Sequence, residues 1–196
     1  MSETLATRLP EVMVFAGPNG SGKTTITKMA KTVGEYVNAD DIKKATLCTD
    51  LEAAVKAEEL REKMLSEMKD FTFETVLSTD RNLLLLRRAK QQGYFVRGIY
   101  VLTSDVEINI ARVEAREALG GHGVPAEKIR QRYKRALKLI PQLAEVCDVF
   151  HLYDNTKMPF RIFKKRKERY YRWSNKYWSD TDIEMLTGVR DYPDYS

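Results

Sequence analysis

The stretch GPNGSGKT at residues 17–24 decides how the rest of the chain is interpreted. Its glycines allow the backbone to curl so that successive N–H groups point inward, toward the oxygens of a bound phosphate. Lys23 adds a mobile positive charge for the terminal phosphates, and Thr24 adds a hydroxyl that can reach Mg²⁺. A helix that begins at this loop would contribute the positive end of its dipole.

The segments on either side of this loop predict the structural context that a nucleotide-binding loop requires. The apolar run EVMVFA at 11–16 predicts a buried parallel strand, and residues 23–32 have helical composition. Glycines that only form a tight turn would not need this context, so we predict a site for ATP and Mg²⁺. The predicted ligands of the nucleotide are Gly17, Pro18, Asn19, Gly20, Ser21, Gly22, Lys23, Thr24 and Thr25, with Thr24 as the metal ligand.

Strand and helix patterns alternate along the remaining chain. Further strands are predicted at residues 36–38, 71–75, 94–102 and 149–153. Longer helices are predicted at residues 50–69, 80–92, 105–119 and 126–146. This order predicts an α/β fold of the nucleotide-kinase-like P-loop NTPase class, a three-layer sandwich with a parallel central sheet.

The C-terminal part has a different pattern, rich in aromatic and basic residues. Pro159 marks a break, and residues 160–178 predict a β-hairpin with a turn at Ser174 and Asn175. A short helix is predicted at 180–187. We therefore divide the chain into a kinase-like domain, residues 1–158, and a C-terminal extension packed on that domain, residues 159–196.

Composition places the chain among ordinary globular proteins. Hydrophobic residues make up 43%, charged residues 31%, and the net charge is +5. No segment approaches the roughly 20 apolar residues of a membrane span, and residues 1–10 lack the apolar core of a signal peptide. Cys48 and Cys147 match no metal-binding spacing and are interpreted as reduced thiols. We expect a cytoplasmic protein with no membrane partner.

The sequence NADD at 38–41 follows the predicted second strand. Ligands of open α/β sheets bind beyond the carboxyl ends of the strands, so these carboxylates should face the same crevice as the glycine-rich loop. Asp40 is the candidate general base that accepts a proton from an attacking hydroxyl, and Asp41 is a candidate substrate contact. The alternative is that Asp40 or Asp41 caps a helix beginning near Ile42.

The third predicted strand, FTFET at 71–75, brings Glu74 and Thr75 to the same edge of the sheet. An unpaired charge at the end of a buried strand is costly, so Glu74 should have a partner. We predict that Glu74 and Thr75 contact the substrate, and Glu74 could instead bind a magnesium-bound water. A salt bridge between Glu74 and a neighbouring lysine is the structural alternative.

Arginines flank the glycine-rich segment GGHGVP at 120–125. Such a loop between two helices can move, and arginines beside it could close over the transferring phosphoryl group, whose charge increases in the transition state. Arg116 and Arg132 are the candidates for this role, although most arginines here are expected on solvated helix faces. His122 is a candidate polar contact to the substrate.

The sequence YDNT at 153–156 follows the last parallel strand. A loop in this position lies beside the adenine in many nucleotide kinases, so Asn155 or Thr156 is a candidate for a hydrogen bond to the base. The same residues also form turns without any ligand.

Together these motifs resemble the zeta-toxin family of P-loop kinases. The resemblance rests on GPNGSGKTT, NADDI, FETVLST and ARVEAREALGGHGVPAEKIRQRYKRAL, and it covers roughly residues 12–156. It implies a nucleotide-kinase-like fold and transfer of phosphate from ATP to the 3′-hydroxyl of UDP-N-acetylglucosamine. It also implies a possible antitoxin partner. Asp40 matches the base of the family, Glu74 the substrate-binding glutamate, and Arg116 and Arg132 the phosphate-stabilising pair.

The chain departs from the larger toxins in the third strand, where Val76 and Ser78 lack the polar groups that contact the sugar nucleotide. The leading hypothesis is a small-molecule kinase with UDP-N-acetylglucosamine as the favoured acceptor. An antibiotic, a sugar or a nucleoside is the alternative acceptor. A third hypothesis is a nucleic-acid-binding protein that uses ATP as a switch, based on the basic and aromatic residues at 161–178. Because an ordinary hairpin has the same alternation and no RNA-binding or helicase motif is present, nucleic acid is not the expected partner.

Overall fold

The computed structural model describes residues 8–121 and 123–190. In this part of the chain, seven strands form one sheet and eight helices accompany them. None of these helices is long and apolar enough to cross a membrane. In chain order the elements are β1 (Glu11–Ala16), α1 (Lys23–Met29), β2 (Glu35–Val37), α2 (Ala39–Thr46), α3 (Asp50–Ser66), β3 (Phe71–Thr75), α4 (Arg81–Gln91), β4 (Phe95–Leu102), α5 (Val106–Ala118), α6 (Ala126–Lys138), α7 (Ile140–Val146), β5 (Val149–Asp154), β6 (Phe160–Arg166), β7 (Arg169–Arg172) and α8 (Asp180–Thr187).

The sheet has the order β2-β3-β1-β4-β5-β6-β7. Strands β1 to β5 are parallel to their neighbours, and β6 and β7 are added antiparallel at one edge. Ala16 pairs with Thr75 of β3 and with Tyr100 of β4, so the ends of β1 and β3 lie side by side. The loop after β1 and the last residues of β3 therefore open into one crevice, as expected for an open α/β sheet.

Helices cover the sheet from both sides, which confirms the predicted three-layer α/β class. On one side, buried residues of α3, α4, α7 and α8 pack on the apolar face of the central strands. On the other side, Ile26 of α1 packs against Met13 and Phe15 of β1. A separate small apolar cluster joins α5 to α6 through Ile110, Val113 and Ile129.

Helix α2 begins three residues earlier than the sequence indicated. Its N-cap is Asn38, whose side-chain oxygen accepts a hydrogen bond from the backbone N–H of Asp40. Asp40 and Asp41 lie in the first turn, where acidic side chains interact favourably with the helix dipole. The alternative interpretation of Asp40 or Asp41 as the capping residue is therefore wrong, because Asn38 already fills that position.

The single helix predicted at 126–146 is two helices. Helix α6 ends at Lys138, and α7 begins at Ile140 with Pro141 in its first turn. Proline has no backbone N–H and clashes with the preceding turn of a continuous helix, so the chain turns at this point. The apolar periodicity continues across the break, which explains why the sequence pattern concealed it.

The predicted C-terminal hairpin and helix are present, but the predicted turn is misplaced. Strands β6 and β7 are joined at Lys167 and Glu168, and the backbone N–H of Lys167 donates to the Asp148 carbonyl at 2.8 Å. Asn175 lies beyond β7, and its side-chain oxygen accepts from two following backbone N–H groups. The Ser174–Asn175 signal thus marks a turn that leads to α8, where an Asn side chain satisfies local backbone donors.

Candidate active site

The glycine-rich loop lies between β1 and α1, as the sequence predicted, and its conformation requires glycine. Gly20 and Gly22 have φ angles of 76° and 93°, in the left-handed region that other residues avoid. A Cβ atom on Gly20 would lie 2.3 Å from the carbonyl oxygen of Asn109. On Gly22 it would lie 2.2 Å from Nδ2 of Asn155. The curled backbone needed to surround a phosphate is therefore built into this structure.

Two asparagines outside the loop hold it in place. Asn109 of α5 donates from Nδ2 to the Asn19 carbonyl at 2.6 Å, and Asn155 donates from Nδ2 to the Ser21 carbonyl at 2.8 Å. Asn109 is completely buried, and its Oδ1 accepts a hydrogen bond from the Thr103 hydroxyl. Sequence reasoning missed Asn109, since its only signal was a polar residue on the buried side of a helix.

Asn155 and Thr156 are hydrogen-bonded within the protein, and the adenine contact predicted for them stays a prediction. The Asn155 amide donates to the Ser21 carbonyl of the glycine-rich loop. The Thr156 hydroxyl accepts from the backbone N–H of Ser104 and bonds to the Asp154 carboxylate. Both side chains therefore hydrogen-bond to residues at or just beyond the carboxyl ends of strands β1, β4 and β5.

Lys23 extends along the loop. Its Nζ donates to the carbonyl oxygens of Gly17 at 2.8 Å and Pro18 at 3.0 Å. The pKa of Lys23 falls from 10.5 to about 8, mainly because of burial; the charges of Glu74 and Asp40 oppose this decrease and the charge of Arg116 adds to it. The side chains of Glu74 and Asp40 are thus close enough to influence the ammonium group that would bind phosphate.

Glu74 is the centre of a hydrogen-bonded cluster at the end of β3. Its carboxylate accepts from the hydroxyls of Thr24 at 3.1 Å, Thr27 at 2.8 Å and Tyr36 at 2.7 Å. The Tyr36 hydroxyl in turn accepts from Nδ2 of Asn38 at 3.0 Å. Burial, followed by the hydrogen bond to Glu74, raises the pKa of Tyr36. The three partners of the Glu74 carboxylate are all hydroxyl groups. In the described part of the chain, these bonds take the place of the salt bridge to a lysine that was the structural alternative.

The two aspartates of α2 have different positions. Both are exposed, but Asp40 lines the cleft together with Lys23 and Glu74, whereas Asp41 is not among the cleft-lining residues. Within the described chain, the Asp40 carboxylate accepts no hydrogen bond. The structure therefore brings Asp40 to the site and leaves Asp41 outside it.

Helices α5 and α6 supply cations to the opposite wall of the cleft. Arg116 and Arg132 both line it, and Nη1 of Arg132 lies 3.4 Å from Oδ1 of Asn19 in the loop. Burial, and next the charge of Arg135, lower the pKa of Arg132. Arg112, which sequence reasoning did not select, also lines the cleft and donates to the Thr156 carbonyl at 3.1 Å.

Other arginines of this region are bound elsewhere, as expected for solvated helix faces. Arg130 forms two hydrogen bonds of 3.0 Å with Glu107, and Arg135 bonds to the Gln131 carbonyl. His122 lies outside the residues that the structure describes, so its predicted substrate contact stays a prediction.

These walls enclose a cleft of about 740 Å³, a volume typical of small-molecule sites. The loop residues Asn19, Gly20, Gly22, Lys23, Thr24 and Thr25 form its floor. Thr75 and Val76 of the β3 end, together with Ala53 and Ala54 of α3, line the part of the cleft beyond Glu74. A nucleotide on the loop and a second ligand beside Glu74 would share this one cleft.

The donor set at Thr24 fits Mg²⁺. Within residues 8–121 and 123–190, no group of three or more His, Cys, Asp or Glu side chains could enclose a metal by itself. Mg²⁺ bound with a nucleotide keeps several waters and takes one or two protein oxygens plus phosphates. The Thr24 hydroxyl, exposed on the cleft with the Glu74 carboxylate 3.1 Å away, supplies oxygens of this kind.

Comparison with known sequences gives little guidance. No model of a known protein family matches the chain. An uncharacterized protein of Haemophilus influenzae is 29% identical over 129 aligned residues, with coverage of 63% of this chain and 92% of that protein.

Comparison with solved structures is more informative. A chain of the PezAT chromosomal toxin–antitoxin system of Streptococcus pneumoniae superposes with a TM-score of 0.61 and 18% identity, covering 92% of this chain and 84% of that one. A chain of the AvrRxo1-ORF1:AvrRxo1-ORF2 complex gives a TM-score of 0.68 and 13% identity, covering 96% and 67%. That complex has also been solved with ATP. At the level of the fold, the predicted resemblance to zeta-toxin-like P-loop kinases is confirmed.

Proposed function

We propose that this protein is an ATP-dependent kinase that transfers the γ-phosphoryl group of ATP to a hydroxyl group of a small molecule. The observation that carries the proposal is the arrangement of Lys23, Asp40 and Glu74 around one cleft. A phosphate-binding ammonium, an accessible carboxylate and a hydrogen-bonded carboxylate are the groups that phosphoryl transfer to a hydroxyl requires.

The nucleotide binds through the glycine-rich loop. Backbone N–H groups of the loop and the N-terminus of α1 hold the phosphates. Lys23 leaves the carbonyls of Gly17 and Pro18 to reach the terminal phosphates. Thr24 and a Glu74-bound water would hold Mg²⁺, which neutralises charge on the β- and γ-phosphates when it is bound.

Asp40 acts as the general base. The acceptor hydroxyl attacks the γ-phosphorus, the bond between that phosphorus and the oxygen bridging to the β-phosphate breaks, and ADP leaves. The proton of the hydroxyl passes to the Asp40 carboxylate, which lies in the cleft without another hydrogen-bond donor in the described chain. Glu74, fixed by Thr27 and Tyr36, orients the acceptor beside this base.

Arginines of α5 and α6 stabilise the transferring group. Arg116 and Arg132 line the wall of the cleft opposite α2, and Arg112 lies beside them. Cations in this position act on the negative charge that spreads over the γ-phosphoryl oxygens in the transition state. Because this wall belongs to α5 and α6, a small movement of these helices would bring the guanidinium groups onto the phosphate.

The favoured acceptor is UDP-N-acetylglucosamine, by resemblance to the zeta toxins, and an antitoxin is a possible protein partner. Val76 lines the cleft where those toxins have a polar residue, so an antibiotic, a sugar or a nucleoside stays an alternative acceptor. The proposed location is the cytoplasm, which supplies ATP and keeps thiols such as Cys48 and Cys147 reduced.

The test is phosphoryl transfer from radiolabelled ATP to a panel of hydroxyl compounds that includes UDP-N-acetylglucosamine. Asp40→Asn should lower kcat by about 10²- to 10⁴-fold while nucleotide affinity is retained, because the proton acceptor is lost and the phosphate loop is untouched. Asp41→Asn is the matched control, since the same charge is removed one residue away and outside the cleft.

Equal activity of Asp40→Asn and the unmodified enzyme would contradict the base assignment. Binding of ATP without transfer to any compound, and without dependence on Lys23, would contradict the kinase proposal itself. Transfer to a compound other than the UDP-sugar would retain the kinase and replace the favoured acceptor.

A further inference from the structure

One face of the sheet carries a surface that phosphoryl transfer does not use. Side chains of β5, β6 and β7 that alternate with core residues point to the side opposite α7 and α8 and are partly or fully exposed. We call this surface the basic sheet face. Its members are His151, Tyr153, Arg161, Lys164, Arg166, Arg169, Tyr171 and Trp173.

The strand register makes this surface continuous. His151 of β5 lies opposite Lys164 of β6, which lies opposite Tyr171 of β7. Trp173 follows two residues after Tyr171, and the two rings are parallel, with centroids 6.2 Å apart. Arg161 lies 4.8 Å from the centre of the Trp173 ring. Cations and aromatic rings therefore alternate across three neighbouring strands.

Within residues 8–121 and 123–190, the positive charge of this face has no carboxylate partner. In the part of the chain that the structure describes, none of its four arginine and lysine side chains forms a salt bridge with a carboxylate. Arg166 and Arg169 are directly opposite each other in the β6–β7 pair, and facing like charges destabilise a strand pair.

Burial and the neighbouring cations act together on His151. Burial, followed by the charges of Arg161, Lys164 and Arg97, lowers the pKa of His151 to about 4. The imidazole is therefore neutral at physiological pH and stacks on Tyr153, with ring centroids 6.2 Å apart. A polyanion bound here would lie over neutral rings surrounded by cations.

Protection of an edge strand explains only part of this composition. Arginine on β7, the last strand of the sheet, discourages pairing with another sheet. Aromatic rings that face outward do not contribute to this protection, because they add exposed apolar area. Aromatic rings between cations are instead typical of surfaces on which bases stack while the cations contact the phosphates.

We propose that the basic sheet face binds single-stranded nucleic acid, through base stacking on Tyr171 and Trp173 and through phosphate contacts of the surrounding cations. This binding is independent of the kinase cleft and of its nucleotide.

The test uses a fluorescein-labelled oligothymidylate of about 12 nucleotides and fluorescence anisotropy at low salt, a length within the range for one such surface. With four cations on phosphates, log K should fall against log salt with a slope of about −3. Tyr171→Ala and Trp173→Ala should each weaken binding about five- to a hundredfold. Affinity for heparin, which has no bases, should not change in these variants.

A charge-matched pair separates this face from general basicity. Arg166→Glu with Arg169→Glu should abolish most of the affinity. Lys134→Glu with Lys138→Glu on the exposed side of α6 changes the net charge equally and should have little effect. Saturating ATP and the Lys23→Ala variant should leave oligonucleotide binding unchanged, which excludes binding in the cleft.

Thermal unfolding of every variant identifies any loss of fold, and Tyr171→Phe supplies a ring-retaining variant that should bind normally. Absence of oligonucleotide binding at low salt would overturn the proposal. Equal loss from both charge-reversed pairs would also overturn it. Aromatic variants that bind the oligonucleotide normally would indicate a general polyanion or acidic-protein surface and would likewise refute base stacking.

Discussion

The environment of Lys23 shows how one residue is prepared for a ligand. Its ammonium group is partly enclosed, bonded to two backbone carbonyls and near the charges of Glu74, Asp40 and Arg116. Burial dominates and brings the pKa of the free protein to about 8. Just above physiological pH, a fraction of the free protein therefore has an uncharged Lys23 and lacks the positive charge that phosphate binding needs.

Nucleotide affinity should consequently decrease as the pH rises through 8. Below pH 8 Lys23 is protonated, whereas above it the free protein loses this proton and must regain it when the phosphates bind. The affinity for a non-hydrolysable ATP analogue should fall by up to about tenfold per pH unit, because one pKa unit corresponds to about 1.4 kcal/mol. Isothermal titration between pH 7 and 9.5 measures this dependence.

The matched variant is Lys23→Arg, whose guanidinium stays protonated over this whole range. Its affinity should not depend on pH, whatever its absolute value. A constant affinity of the unmodified protein up to pH 9.5 would show that Lys23 is not deprotonated in the free state.

At the scale of elements, α5 has two functions in the same site. Its first turns support the glycine-rich loop through Asn109, and its last turn presents Arg116 to the cleft. The α5–α6 pair has a small apolar cluster of its own, separate from the main core. Movement of α5 would therefore act on the phosphate loop and on the arginines together.

Replacement of Asn109 by alanine should destabilise both the protein and its nucleotide site. The change removes the buried amide that donates to the Asn19 carbonyl, and the Thr103 hydroxyl keeps only its bond to the Asp105 carbonyl, at a cost of about 1–3 kcal/mol. Urea unfolding measures the free energy, and titration with an ATP analogue should show weaker binding.

Glu114→Ala is the control on the same helix. Glu114 is exposed, so its removal should change the free energy of unfolding by no more than about 0.5 kcal/mol. Identical unfolding curves for Asn109→Ala and Glu114→Ala would mean that the buried bond to the loop does not stabilise the structure.

At the scale of the whole molecule, the C-terminal extension is part of the central sheet. Strand β6 pairs with β5 along its length, and Ile162 and Phe163 enter the same apolar core as the parallel strands. Ile183 of α8 reaches this core as well. We therefore propose that residues 159–190 fold and unfold together with the preceding kinase-like part.

Two phenylalanines of β6 test this proposal. Phe163 is fully buried and its ring lies 6.1 Å from that of Phe150 in β5, whereas Phe160 is 46% exposed. Phe163→Ala should cost about 3–5 kcal/mol, roughly 6–20 °C in Tm for a chain of this size, and Phe160→Ala much less. Calorimetry should show one cooperative transition in each case, and a separate transition for the extension would contradict the proposal.

The sequence alone was sufficient to predict the phosphate loop, the parallel sheet and the alternation of strands and helices along the chain. Lys23 and Thr24 can reach a bound phosphate only when a strand, a Gly-rich turn and a helix follow one another. Each of these three elements is predicted from neighbouring residues in the sequence. Likewise, Asp40 and Glu74 could be predicted because the carboxyl ends of parallel strands meet at one edge of the sheet. The end of α6 was missed because its apolar periodicity continues through Pro141 into α7.

Only the tertiary structure decided which groups these residues contact. Tyr36, Thr27 and Asn109 are distant in sequence from Glu74 or from the loop, and no local pattern distinguishes them from ordinary strand and helix residues. In the structure, Asn155 is hydrogen-bonded to the loop, and Asp40 lines the cleft whereas Asp41 does not. It also joined the outward residues of three strands into one basic face. A sequence pattern reports the period of a single element, whereas these contacts depend on how several elements pack against one another.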